Sequence, residues 1–165
     1  MLNRITLVIA SAALIMSTLA VIPRASAAVP DSLRPLGVTR YAFAAGTGTI
    51  DTASSTYVPV TGLTQSIVIP SGKRGDVFVF FCAFGQVGSA PSTLSVRAMQ
   101  GGSAMGGGML ETYDGPDGET RCASFYKLNV GAGTKNVHME YSLVSGIGPV
   151  YLSSRHMIVV VNIHD

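Results

Sequence analysis

The run Asp76-Val77-Phe78-Val79-Phe80-Phe81-Cys82-Ala83-Phe84 constrains the fold of this chain more than any other segment. Almost every residue in it is apolar, with β-branched and aromatic side chains alternating in neighbouring positions. A run of this kind reads as a strand covered on both faces in the middle of a sandwich. Around it, short β-type runs alternate with Gly, Pro, Ser and Asp punctuation, and nowhere does a helical period persist beyond a turn or two. The expected strands are Val38-Ala44, Thr56-Val60, Gln65-Ile69, Asp76-Phe84, Thr93-Met99, Cys122-Val130, Asn136-Val144, Val150-Leu152 and His156-Ile163. The fold class is therefore all-β, a single antiparallel β-sandwich.

One strand shows its two sides in the letters. From Asn136 to Leu143 polar and apolar residues alternate, which turns Val137, Met139, Tyr141 and Leu143 inward and His138, Glu140 and Ser142 outward. The turns between strands are expected at 70–75, 114–118, 131–133 and 145–149, each rich in Gly, Asp or Pro. The glycine-rich stretch Gly101 to Gly108 is expected as a mobile loop, because it lacks the Lys-Ser/Thr pair and strand-to-helix setting of a phosphate loop.

Residues 1–27 carry the three parts of an export signal. Arg4 gives a positive start, Ile5 to Ile22 an apolar run, and Ala25-Ser26-Ala27 a small-residue exit after Pro23. Cleavage is expected after Ala27, with Ala28 as the shifted alternative. An uncleaved anchor is the competing reading, since an apolar stretch of roughly 18 residues is just long enough to span a bilayer. Polar Ser11, Ser17 and Thr18 in the run, and no basic cluster behind it, favour the leader. The expected organisation is a signal peptide at 1–27, a lead-in at 28–36 and a β-sandwich domain at 37–165. The expected location is secreted or periplasmic, with membrane contact only during export.

Removing the leader changes the charge. The chain has 11 Lys and Arg against 9 Asp and Glu, and Arg4 and Arg24 leave with the leader, so the remainder is balanced. That balance gives no support for a nucleic-acid partner or an anionic membrane. About 138 residues remain, enough for one domain with its own core.

Cys82 and Cys122 would sit in an oxidising compartment, where an even cysteine count favours a bridge. Two separate buried thiols are the competing reading, and the sequence leaves both open. Three other features weigh less. Arg74-Gly75-Asp76 matches the adhesive tripeptide that engages integrins and is expected at an exposed turn, but a glycine turn with charged gatekeepers yields the same letters. Asp114, Asp117 and Glu119 offer oxygens of the kind Ca²⁺ takes, although turn chemistry explains them better. His138, His156 and His164 show no zinc-type spacing. No catalytic, metal-binding or cofactor-binding motif stands above background, and no cofactor is expected.

Several ordered pieces resemble a jelly-roll β-sandwich module of bacterial exoproteins and phage tail or fibre proteins, similar in outline to complement/tumour-necrosis-factor-like domains. They are Tyr57-Val58-Pro59-Val60-Thr61-Gly62-Leu63, Ile67-Val68-Ile69-Pro70, Val77-Phe78-Val79-Phe80, Ser95-Val96-Arg97-Ala98, the stretch from Val130 to Val137, and the closing Leu152 to Val160. The insert at Gly101 to Gly108 departs from that pattern. The resemblance implies a binding or assembly module, as a homotrimer or other homo-oligomer, with an unknown protein or surface ligand as partner. The expected protein is thus a non-enzymatic exported module. An exported hydrolase or carbohydrate-active enzyme on the same scaffold is the alternative, and it would need paired carboxylates or a triad on a concave face. Sugar binding would call for exposed aromatics, whereas Trp is absent and Tyr113, Tyr126, Tyr141 and Tyr151 read as core or edge residues.

Overall fold

The computed structural model describes residues 37–87, 91–113, 117–146 and 148–165. The leader, its cleavage site at Ala27 or Ala28, the lead-in and Asp114 lie outside the described residues. Nine strands form one antiparallel sheet: β1 Thr39–Gly46, β2 Ile50–Thr52, β3 Val58–Val87, β4 Ser92–Gln100, β5 Ser103–Ala104, β6 Gly106–Gly107, β7 Met109–Tyr113, β8 Glu119–Gly146 and β9 Val150–His164.

The sheet makes a sandwich because its two longest strands serve both layers. The second half of β3, from Arg74, pairs with β9 on one side and with the first half of β8 on the other, and β1 extends this layer beyond β9. The first half of β3, Val58 to Ile69, pairs with the second half of β8, whose other edge carries β4. Between these halves the burial alternation stops. Ser71 to Arg74 and Gly131 to Thr134 are all exposed, and the β3–β8 register shifts between Ile69 and Arg74. Gly72 and Gly133 adopt positive φ there, a backbone state that glycine reaches without the Cβ penalty. Residues read as turns from the sequence are thus the places where two continuous strands bend from one layer to the other.

The core lies between the layers. Val77, Val79, Phe81 and Ala83 of β3 and Met157, Val159 and Val161 of β9 point in from one side. Val60, Leu63, Ile67 and Ile69 of β3, Leu94, Val96 and Ala98 of β4, and Val137, Met139 and Tyr141 of β8 point in from the other. The alternation expected for β8 holds: Val137, Met139 and Tyr141 are buried, Leu143 packs against the core and Val144 is exposed. Ser142 is the exception, an outward position that is buried.

The Gly101 to Gly108 stretch is not a mobile loop. Ser103–Ala104 returns along β4, Met105 is buried and donates its N–H to the Ala98 carbonyl at 2.9 Å, and Gly106–Gly107 joins β8 in the other layer. The segment carries the chain across the rim of the sandwich.

Cys82 and Cys122 stand directly opposite each other on β3 and β8 and form a disulfide. The loop that it closes spans a sequence separation of 40. Elsewhere Arg155 is buried and gives its guanidinium hydrogens to the carbonyls of Leu152 at 2.9 Å, Thr61 at 3.4 Å and Gly48. Burial lowers its pKa from the ordinary value. These bonds tie the β1–β2 turn and the start of β3 to β9.

Candidate functional site

The central strand was expected to be covered on both sides, and only its inner side is. Val77, Val79, Phe81 and Ala83 are fully buried, but the alternate side chains face outward, with Phe80 at 48% exposure and Phe78 and Phe84 half-buried. The apolar run carries a core on one side and an open surface on the other.

Register continues that surface across four strands. One row reads Tyr41 on β1, Val160 on β9, Phe78 on β3 and Tyr126 on β8. The next reads Phe43, Ile158, Phe80 and Ser124, and a third reads Ala45, His156 and the Cys82–Cys122 cystine. Tyr41 is 74% exposed, Phe43 58% and Tyr126 51%. The Phe43 and His156 rings lie 6.1 Å apart between centroids. None of these side chains is an Asp, Glu, Lys or Arg. Large contiguous apolar patches on a protein surface mark interaction sites, whereas single exposed apolar residues do not.

Local sequence explains how the aromatics come to face out. On β1 the inward positions are Ala42 and Ala44, small enough to lie against the core, which leaves Tyr41 and Phe43 on the other side. Tyr126 has room because Gly106 lies beside it: a Cβ there would stand 2.9 Å from the ring. At the β1 edge the face runs into a cleft of about 200 Å³ lined by Arg40, Tyr41, Ser66 and Val68, with Ile67 and Val161 among its walls. Across this edge Gln65 donates from Nε2 to the Phe43 carbonyl at 2.7 Å.

The outer face of the other layer is polar and internally paired. Arg97 binds the Oε2 of Glu140 through Nε at 2.8 Å and Nη2 at 2.7 Å, and His138 Nε2 stands 3.2 Å from Oε1. The Arg97 guanidinium also lies 3.8 Å above the Tyr57 ring, and the Tyr57 hydroxyl is 2.6 Å from Ser95 Oγ. Burial would raise the Glu140 pKa, but hydrogen bonds from Arg97 and His138 outweigh it and hold the carboxyl below its usual range.

The residues singled out in the sequence fall elsewhere. Arg74, Gly75 and Asp76 are not at a protruding turn but within β3, Arg74 and Gly75 paired to both β8 and β9 and Asp76 to β9. Gly75 is buried against Ile69 and Val161, and Asp76 Oδ1 accepts the Asn129 N–H at 2.8 Å and lies 3.4 Å from His164 Nε2. Asp117 is exposed, while Glu119 forms an ion pair with Arg121, which also approaches Glu111 at 3.6 Å. Among the described residues no group of three or more His, Cys, Asp and Glu converges on a point where an ion could be held. Both cysteines are spent in the disulfide, so His138 has no thiol to activate.

Of the four tyrosines read as core or edge, Tyr113 and Tyr141 are buried, Tyr151 is intermediate and Tyr126 is half-exposed. The Tyr113 ring packs directly over Gly85, and among the described residues its hydroxyl has no hydrogen-bond partner. Burial, with Glu111 and Glu119 nearby, raises its pKa to about 12. Sequence reasoning missed Tyr41, Phe43 and Tyr126 as a group. The signal available was the alanine pair at 42 and 44, which marks the inward side of β1.

Fold and site together define an all-β antiparallel sandwich with a cross-strand disulfide and an open aromatic sheet face. Among the described residues no helix is long and apolar enough to cross a membrane. No protein-family model matches the chain, and no curated protein matches it. Among solved structures, the C-terminal domain of EclA, a sugar-binding protein, is similar over 67% of this chain and 77% of its own, at 9% identity and a TM-score of 0.42. The tripod from the baseplate of bacteriophage Tuc2009 is similar over 74% of this chain and 62% of its own, at 15% identity and a TM-score of 0.37. The CBM36-1 domain of a multidomain xylanase from the hindgut metagenome of Trinervitermes trinervoides is similar over 73% of this chain and 96% of its own, at 12% identity and a TM-score of 0.34.

Proposed function

We propose that the chain is an exported, non-enzymatic module that works by binding or self-assembly through the aromatic face of β1, β9, β3 and β8. The observation that carries this reading is the row-by-row continuity of exposed Tyr41, Phe43, Phe80 and Tyr126 across four hydrogen-bonded strands. Leaving such a surface in water forgoes about 25 cal/mol for each Å² of apolar area that a partner would cover. Export rests on the leader at 1–27 and agrees with the disulfide. The likeness to phage fibre and complement/tumour-necrosis-factor-like modules belongs to this reading, and what it implies is a homo-oligomer.

A non-enzymatic role is supported by how the carboxylates are used. Glu140 is paired with Arg97 and lies against His138, Glu111 and Glu119 flank Arg121, and Asp76 accepts a backbone N–H. General acid and base work needs a carboxyl raised toward neutrality beside one that stays ionised, and Glu140 is shifted the other way.

The test is retention on insoluble cellulose, chitin and peptidoglycan, with the molar mass followed by light scattering. Both are measured for the wild type and for a variant carrying Phe43→Ser and Phe80→Ser. Retention or an oligomeric mass in the wild type, lost in the variant while the circular dichroism spectrum persists, is the expected result. A wild type that is monomeric and retained on nothing, or a variant that behaves identically, overturns the reading.

A further inference from the structure

We infer that the aromatic face is covered by a second copy of this chain, the two sheets packing face to face about a two-fold axis that runs along the strands between β9 and β3. The inference rests on the binding-or-assembly reading above and names its partner.

The first argument is charge. Rows Tyr41 to Tyr126 and Phe43 to Ser124 hold no ionisable acid or base apart from the two phenols, so bringing two identical faces together places no charge against its like. Protein interfaces are depleted of charge at their centres and enriched in aromatics, and this face has that composition.

Shape is the second argument. The axis puts β1 over the partner's β8 and β9 over the partner's β3. The bulky Phe43 then meets the partner's Ser124, the smallest residue of its row, while Ile158 meets the partner's Phe80. Tyr41 meets the partner's Tyr126, an aromatic pair with both hydroxyls near the rim. One pair sets a large side chain against a small one, and the others set apolar or aromatic side chains against their like. Aligned sheets cross at about −30° and stand ~10 Å apart, so the match is tightest at the axis, at Ile158 and Phe80.

Area is the third. Four strands about 4.8 Å apart, carrying outward residues from 78 to 84 at a rise of ~3.3 Å, give a face of roughly 400 Å² in plan. Two such faces reach roughly 800 Å² before side-chain relief is counted, the size of a weak, reversible interface. The polar outer face of the other layer satisfies its charges internally through Arg97, Glu140 and His138 and has no comparable surface to cover.

Interfaces of this size without a deep anchor pocket dissociate on the order of micromolar. Sedimentation velocity on the full chain, expressed with its own leader and purified with its N-terminus mapped, tests this between about 1 and about 300 µM. The expected result is a mass that rises from monomer to dimer across that range. Phe80→Glu is expected to weaken the dimer at least tenfold, and Thr64→Glu, on the exposed outer side of the other layer, to leave it unchanged. Circular dichroism and an intact disulfide verify folding of each variant.

A monomer throughout, a dimer indifferent to Phe80→Glu, or a trimer overturns the inference. A monomeric wild type that is still retained on a polysaccharide, with retention lost in Phe80→Glu, sinks the second copy and leaves the binding face standing. Neither mass nor retention sinks both.

Discussion

The two outer faces of the sandwich are built on the same strands and differ in almost everything else. β3 and β8 run through both layers, yet one half of each presents Phe78, Phe80 and Tyr126 while the other presents Thr64, Ser66, His138 and Glu140. The polar face keeps Glu140 in place with Arg97 and His138, and covers Arg97 with Tyr57. The aromatic face has the His156–Phe43 contact and a cystine, and among the described residues no other ring contact. Continuous strands therefore do not confer a continuous surface. A two-layer fold needs its inner sides apolar, and what each outer side carries is free to follow its use.

The comparison breaks most severely at two neighbours on one strand. Phe81 is fully buried and Phe80 is 48% exposed. Phe81→Ala is expected to cost about 3–5 kcal/mol in urea unfolding, and Phe80→Ala under about 1 kcal/mol when measured on the monomer. Equal losses would mean that the aromatic face is packed rather than open.

Next in size is the cystine at the foot of the aromatic face. Replacing Cys82 and Cys122 by Ser removes a closed loop whose chain-entropy value is about 3–4 kcal/mol. The expected outcome is a lower urea midpoint by a corresponding amount, with the far-ultraviolet spectrum retained at low denaturant.

The polar face should respond less. Arg97→Met removes a partly exposed ion pair and should cost about 1 kcal/mol. Its pH dependence is more telling. Glu140 has a lowered folded pKa, so its contribution is present above the ordinary carboxylate range and is lost as pH falls through that lowered value. Arg97→Met removes the main group that lowers the Glu140 pKa, so the acid-induced loss owed to Glu140 should shrink, seen as a shallower fall of melting temperature with falling pH than in the wild type.

The smallest effect belongs to Tyr113, at the end of the sheet. Its folded pKa is raised to about 12 from 10.0, so the stability tied to its neutral form is whole below pH 10.0 and is lost as pH rises through about 12. Tyr113→Phe deletes a buried hydroxyl with no partner, and is expected to change neutral-pH stability by about 0 to 1 kcal/mol, in the stabilising direction. It should also flatten the alkaline limb of the melting curve.

Much of this molecule is legible in its letters, and the remainder fails for identifiable reasons. The all-β class and the alternation of β8 from Val137 to Tyr141 follow from periodicity, which depends on adjacent residues. The strand count does not. Gly72 and Gly131 to Gly133 carry the composition of turns and serve as bends in unbroken ladders, and a short sequence window is the same in both cases. β2, β5, β6 and β7 escape a sequence reading because strands of two to five residues are too short to show a period. The sequence does not decide the cysteine pairing, since only register brings Cys82 opposite Cys122. The aromatic face is the deepest miss. An all-apolar run reads alike whether its second side meets a layer or water, and what lies over a strand is set by elements distant in sequence.

The cystine has one more consequence, for the reading frame of the sheet. Side chains alternate with a period of two, so sliding β3 by one residue against β8 would turn Phe78 and Phe80 into the interior and push Val77 and Val79 out. Both sets are apolar, and hydrophobicity alone distinguishes the two registers poorly. A covalent link between opposed residues of the two strands forbids that slip outright, so oxidation of Cys82 and Cys122 decides which side of the strand the outside world meets.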